Sequence, residues 1–169
     1  MKRKGLIILI SILTLALIVT AVVLLTPSEK QQQLSFTGVK IDNKGQVLDE
    51  CSITWNTTYK DGPLSDPTYY EVSAAIEDHY DLPYSLSTGD PLTVTSLSDW
   101  DFDQIQGSVY FAEINRYCPV QYIIAHDQSW CIVIVSDPSE GAAYFIGTAD
   151  PSLKPTTIYR DYYYYFFQE

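Results

Sequence analysis

The sequence predicts a mainly β fold: one compact antiparallel β domain, a sandwich or a barrel-like meander with one or two short helices, behind an N-terminal transmembrane helix. Short apolar or alternating runs recur between Gly, Pro, Asn and Asp residues, which is typical of antiparallel strands. The run at 132–135 is β-branched and apolar on both faces, which indicates a central strand. An uncharged run at 6–26 predicts the helix.

The N-terminal 26 residues predict a membrane anchor. Lys2, Arg3 and Lys4 precede residues 6–26, which as a helix would cover about 30 Å, the thickness of a bilayer's hydrocarbon core. Positive charge before the span predicts that residues 1–5 are cytoplasmic and that the C-terminal domain is extracytoplasmic. We therefore expect an uncleaved single-pass signal-anchor in the cell membrane. The alternative is a secreted protein after signal cleavage, but the small-x-small cleavage site is lacking.

The rest of the chain predicts a tether and one acidic domain. Residues 27–33 are polar without an apolar period and predict a short tether, and residues 34–169 then form the extracytoplasmic β-rich domain. From residue 31 onward the chain has 20 acidic and six basic residues, a net charge of −14. This charge argues against a nucleic-acid partner. Solubility explains it, and attraction of cationic ligands or metal ions is the functional alternative.

Six segments read as strands, and three others are ambiguous. The strand candidates are 36–41, 51–59, 92–97, 108–114, 130–135 and 142–147, with a turn at 42–45 that joins the first two.

Residues 69–82 combine a helix-start pattern with an alternation of period two, and the alternation favours a strand. Residues 118–125 are ambiguous because Pro119 could open a short helix. The tail at 159–167 has seven aromatic residues in nine and predicts a strand or helix packed on the core. The alternatives for this tail are a surface for a partner or a sugar, or a segment at a membrane interface.

The three cysteines predict one disulfide and one remaining thiol if the domain lies in an oxidising space. They are Cys51, Cys118 and Cys131. A hairpin that turns at 127–128 sets Cys131 opposite Ile124, so Cys118 and Cys131 cannot pair directly across the strands. Cys51 can pair with either of the others. Small buried thiols without any disulfide are the alternative.

An acidic segment is the strongest candidate for a cation site. Asp99, Asp101 and Asp103 alternate, so their carboxylates would project to one side of an extended chain. Oxygen-rich clusters of this kind hold calcium. An EF-hand loop needs Gly at its sixth place and Glu at its twelfth, where this chain has Gln104 and Tyr110. The EF-hand motif is absent, and we predict no metal site.

No motif predicts catalysis or a cofactor. His79 and His126 lack a second His or Cys at zinc-ligand spacing, and both are expected to be structural. The chain also lacks a Gly-x-Ser-x-Gly elbow, a phosphate loop and a dinucleotide fingerprint. An envelope hydrolase that uses carboxylates, such as Asp101 and Asp103, or a thiol, such as Cys51 with His79, is the alternative, since acid pairs leave no readable spacing.

A resemblance supports the location. The basic start, the apolar run and the segments 106–111, 129–135 and 144–146 (QGSVYF, SWCIVIV and YFI) make the layout similar to a loose group of single-pass, membrane-anchored extracytoplasmic proteins of Gram-positive bacteria with no known activity. The resemblance implies location and no functional residue. We expect a non-enzymatic binding or assembly module, attached to the membrane through residues 6–26, with an envelope protein or a glycan as partner.

Overall fold

A computed structural model describes residues 2–62, 65–85, 91–96, 101–112, 114–137 and 141–167, with side chains throughout except at 2–10, 23–24, 65–66, 85, 96, 137 and 164–167. Two helices flank nine strands. In chain order the elements are α1 (Lys2–Leu25), β1 (Ser28–Ile41), β2 (Val47–Gly62), β3 (Ser65–Ile76), β4 (Tyr80–Ser85), β5 (Val94–Ser96), β6 (Phe102–Phe111), β7 (Arg116–Ala125), β8 (Trp130–Asp137), β9 (Gly141–Thr148) and α2 (Pro155–Phe167).

The N-terminal helix differs from the prediction. Among the described residues we find no helix with the length and apolar composition that a membrane crossing requires. The prediction of a transmembrane helix at 6–26, and of a single-pass signal-anchor built on it, is therefore wrong for the described residues.

The strands form one open antiparallel sheet in the order β4-β3-β2-β1-β9-β8-β7-β6-β5. It consists of two meanders, β1–β4 and β5–β9, which join where β1 pairs with β9 over Thr37–Ile41 and Tyr144–Thr148. The prediction of a mainly β, antiparallel domain with short helices is confirmed. The arrangement is a meander in a single sheet, not a sandwich of two.

The open sheet curls until its two halves touch across one face. The Tyr122 hydroxyl on β7 donates to the Leu82 carbonyl on β4 at 3.0 Å, although five strands lie between them in the sheet. Tyr84 on β4 stacks on Tyr122 with ring centroids 6.2 Å apart. The main core lies inside this curl and includes Trp55, Val72, Leu82, Tyr122, Val133 and Phe145.

A second core covers the opposite face, under α2. Tyr159 and Tyr162 of this helix are buried against Ile132, Ile134 and Ile146. Strands β8 and β9 are thus apolar on both faces, as residues 132–135 predict. The described part of the aromatic tail is helical and packs on the core, one of the two forms that the sequence allows.

Two of the three ambiguous segments are strands. Residues 69–82 form most of a β3–β4 hairpin whose turn holds Asp78 at φ 59°, and residues 118–125 belong to β7. The turn at 42–45 is confirmed, with Gly45 at φ 79°. Residues 28–33, predicted as a tether, pair with residues 56–61 of β2.

Two glycines occupy the seam between the meanders, and each excludes a side chain. Gly38 of β1 lies opposite Gly147 of β9. A Cβ on Gly38 would clash with the carbonyl oxygen of Ile146, which is backbone and cannot rotate away. A Cβ on Gly147 would lie 2.5 Å from the Cβ of Phe36. Close approach of the two backbones at this point therefore requires glycine.

Gly38→Ala should lower the free energy of unfolding by about 3 kcal/mol or more, because β1 and β9 would have to separate. Urea unfolding followed by tryptophan fluorescence measures this. Ser35→Ala, an exposed change on the same strand, is the control and should stay within about 0.5 kcal/mol. A Gly38→Ala protein of unchanged stability would contradict the steric role of the seam.

Candidate functional site

One cavity lies between α2 and one end of the sheet, with a volume of about 540 Å³. This volume suits a small-molecule ligand. Its lining comes from the start of β6, the β7–β8 turn and α2: Asp101, Phe102, Ala125, His126, Asp127, Trp130, Ile158, Asp161 and Tyr162. We call it the α2 pocket.

Aromatic side chains form the walls of the α2 pocket. Phe102 is buried and meets Trp130 edge to face, with ring centroids 5.8 Å apart. Tyr162 is buried, and its hydroxyl donates to Gln121 at 3.3 Å. Trp130 is half-buried, so part of its ring faces the pocket. The pocket therefore offers π surface to a ligand.

Carboxylates line the rim. Asp127 accepts hydrogen bonds from the backbone N–H and the hydroxyl of Ser129, which lower the pKa of Asp127 below its ordinary value. Asp161 accepts from the guanidinium of Arg160 at 3.1 Å, and Asp101 is exposed. None of the described lining residues is Lys or Arg. The rim is thus acidic.

Behind the pocket, the buried carboxylate of Asp103 connects the imidazole of His126 to the core. Asp103 is only 5% exposed, and its Oδ2 accepts from the Tyr69 hydroxyl at 2.8 Å. Its Oδ1 lies 3.1 Å from Nε2 of His126. Phe102 and Asp103 point to opposite faces because strand side chains alternate. His126 therefore reaches over the end of the sheet, from the α2 pocket to the inner face.

The structure gathers some of the residues that the sequence singles out. Asp101, Asp103 and His126 lie together, whereas Asp99 is outside the described residues. His79 lies elsewhere, with its ring beside Phe145 and its Nε2 3.8 Å from Asp49.

Sequence reasoning did not find Tyr69, Trp130 and Tyr162 as partners of these residues. In the sequence, the one feature that could indicate a role for Trp130 is its position after a polar turn.

The three cysteines are free thiols, and all are buried. Cys131 pairs with Ile124, as the hairpin register predicts. Cys51 pairs with Gly38, and Gly147 pairs with Cys131, so three strand spacings separate Cys51 from Cys131. That is about 14 Å along a flat sheet, against about 4.4–6.8 Å between Cα atoms in a disulfide.

The chemistry of Cys51 does not match an activated nucleophile. Burial, with a smaller effect from Asp49, raises the pKa of the Cys51 thiol to about 11. Catalytic thiols have a lowered pKa instead, because a cation or a helix N-terminus stabilises the thiolate. The thiol version of the hydrolase alternative therefore loses support.

Within the described ranges, no three His, Cys, Asp or Glu side chains are grouped closely enough to hold a metal ion.

Comparisons with family models, curated proteins and solved structures found no match to this chain. The α2 pocket is therefore the feature that indicates a function.

The native thiols should react slowly. With a pKa near 11, about one Cys51 in a thousand is a thiolate at pH 8. We expect almost no labelling by a thiol-specific disulfide reagent in buffer, and labelling of all three cysteines in denaturant. Fast labelling of the folded protein would contradict this burial.

Stability should also fall as the pH rises from about 9 through 11, because the unfolded chain releases the Cys51 proton that the folded chain retains. The Cys51→Ala variant, unfolded in urea across this range, should lose that part of the pH dependence.

Asp103→Ala should lower the free energy of unfolding by about 2–4 kcal/mol. The change leaves the buried Tyr69 hydroxyl without a hydrogen-bond acceptor and removes the contact of Asp103 with His126. Tyr69→Phe removes one of these bonds and should cost about 1–1.5 kcal/mol. Asp101→Ala, an exposed carboxylate two residues away, is the matched control at about 0.5 kcal/mol or less. Equal effects of Asp101→Ala and Asp103→Ala in urea unfolding would argue against the network.

Proposed function

We propose that this β domain is a binding module whose α2 pocket takes a small organic cation. The observation that supports this proposal is a pocket with aromatic walls, Phe102, Trp130 and Tyr162, whose rim has three carboxylates and whose described lining residues include no Lys or Arg.

Aromatic walls and carboxylates act on the same ligand group. A quaternary ammonium is attracted by the negative face of an indole, an interaction of about 0.5–2 kcal/mol. It carries no N–H donor, so it does not need precisely aligned acceptors. Carboxylates at the rim add long-range attraction, which the net charge of −14 from residue 31 onward strengthens.

A second candidate function has one specific observation in its favour. Asp103 orients His126 at the pocket, as a carboxylate orients a general base in hydrolases. His126 could then activate a water molecule against an ester bound by its cationic end. Among the described residues, no Ser, Thr or Cys side chain hydrogen-bonds to His126, so this hydrolase would have to use water directly. We rank it below binding.

The extracytoplasmic location, the envelope protein or glycan partner and secretion after cleavage stay predictions. They come from the sequence pattern and from the resemblance to anchored envelope proteins. The binding proposal does not depend on them, because the pocket belongs to the folded domain alone.

Choline should bind in isothermal titration, and 3,3-dimethyl-1-butanol, its neutral isostere, should bind much more weakly, because only choline has the charge that the pocket recognises. Trp130→Leu should weaken choline binding about 2- to 30-fold through loss of the cation–π contact. Asp101→Asn and Asp127→Asn should each weaken it about 2- to 5-fold, an effect that added salt reduces.

Tyr117→Leu is the matched control, since this aromatic residue is 71% exposed and lies at the opposite end of the sheet. It should leave choline binding unchanged. Equal affinity for choline and its neutral isostere would overturn the proposal. Hydrolysis of acetylcholine that His126→Gln abolishes would favour the hydrolase instead.

A further inference from the structure

A second feature lies at the other end of the sheet, where several large apolar side chains are exposed. Leu48 is 56% exposed next to the turn of the β1–β2 hairpin. Tyr110 and Ile114, 48% and 41% exposed, belong to the β6–β7 hairpin. Tyr117 is 71% exposed, with its ring 5.2 Å from that of Tyr110. The strand directions bring both hairpins to the same end of the sheet.

Two adjoining cavities connect three of these side chains, Leu48, Tyr110 and Ile114. The larger, of about 570 Å³, is lined by Tyr110 and Ile114, and the smaller, of about 100 Å³, by Leu48. Tyr80 and Val135 line both cavities, so the two form one groove across the end of the curled sheet. We call this the hairpin-end groove. Its apolar rim gives a ligand a large hydrophobic contact.

Carboxylates are concentrated on one side of the groove. Asp81 lines the larger cavity, and Glu77 and Asp78 occupy the neighbouring β3–β4 turn. Strands β3 and β4 and the turn between them contain no Lys or Arg. Asp49 adds a further carboxylate, 3.8 Å from His79. One side of the groove is therefore acidic, and the basic residue of its lining, Lys40, lies in the smaller cavity together with Asp42.

We propose that the hairpin-end groove docks a basic amphipathic peptide segment of a partner protein. Large apolar side chains of the segment enter the two cavities, and its Lys or Arg residues face Asp81, Glu77 and Asp49. This is the complementarity that recognition of an amphipathic segment in a groove requires. The proposal uses none of the residues of the α2 pocket.

The edges of the sheet favour docking through side chains rather than by strand addition. The edge strand β4 carries Pro83, which has no N–H to donate to an added strand. The other edge, β5, has only three residues. A partner therefore gains little from pairing its backbone with the sheet.

Fluorescence anisotropy with a labelled 14-residue peptide of Leu and Lys in amphipathic order tests the proposal. The full chain should bind this peptide at physiological salt. It should bind a Ser/Lys peptide of equal charge at least tenfold more weakly, because that peptide has no apolar anchors. A Leu/Glu peptide should not bind, because the acidic side of the groove repels it.

The Leu48→Ser and Ile114→Ser double variant should lose about tenfold in affinity for the Leu/Lys peptide. Val47→Ser is the matched control: Val47 is 50% exposed and adjacent to Leu48 in β2, but lines neither cavity. It should bind as the natural protein does. Both changes replace exposed side chains, and circular dichroism confirms that each variant is folded.

Three results would overturn the proposal. They are equal affinity for the Leu/Lys and Ser/Lys peptides, equal loss in the Val47→Ser and double variants, and self-association in sedimentation that the double variant abolishes, since a second copy would then occupy the groove. Trp130→Leu and saturating choline should leave peptide binding unchanged. A failure at the α2 pocket therefore remains distinguishable from a failure at the hairpin-end groove.

Discussion

The close approach of β1 and β9 at the Gly38–Gly147 pair is the constraint on which the rest of the structure depends. Two meanders that are separate in sequence become one sheet only at this seam. Because neither glycine has a side chain, the two backbones come near enough to pair. Side chains of the neighbouring residues fill the space above the two glycines. Cys51 and Cys131 lie on either side of the pair, and both are buried thiols of the main core.

Once the seam has formed, the curl of the sheet determines where function can reside. Tyr122 ties β7 to β4, and the Tyr69–Asp103 bond ties β3 to β6. Core residues fill the inner face where the two halves meet, and a cavity of about 570 Å³ opens beside Thr57, Val72 and Tyr84. Further space is left at the two ends of the sheet. One end is completed by α2 and the β7–β8 turn, and the other by hairpin turns alone.

Sequence reasoning succeeds here where the signal is local. The turn at 42–45, the central strand at 132–135 and the pairing of Cys131 with Ile124 follow from turn chemistry, β-branched runs and hairpin register. It fails where the partner is distant in the chain. Asp103 meets Tyr69 across 34 residues, and no pattern in either segment indicates the contact. The prediction made from the apolar run at 6–26 fails for a different reason. The composition of the run predicts a transmembrane helix, and no such helix is found among the described residues.

The distribution of carboxylates gives a physical reason to look for ligands at the ends of the sheet. A buried charge is costly unless it is paired and hydrogen-bonded. Asp103 meets that requirement with two partners. Asp101, Asp127 and Asp81 are exposed at cavity rims, so they do not incur the cost of a buried charge. Exposed carboxylates contribute little to the stability of the fold. Asp127 also has a structural role, because it accepts two hydrogen bonds from Ser129 in the β7–β8 turn. The position of Asp101 and Asp81 beside aromatic and apolar cavities supports the two proposals of a positively charged ligand.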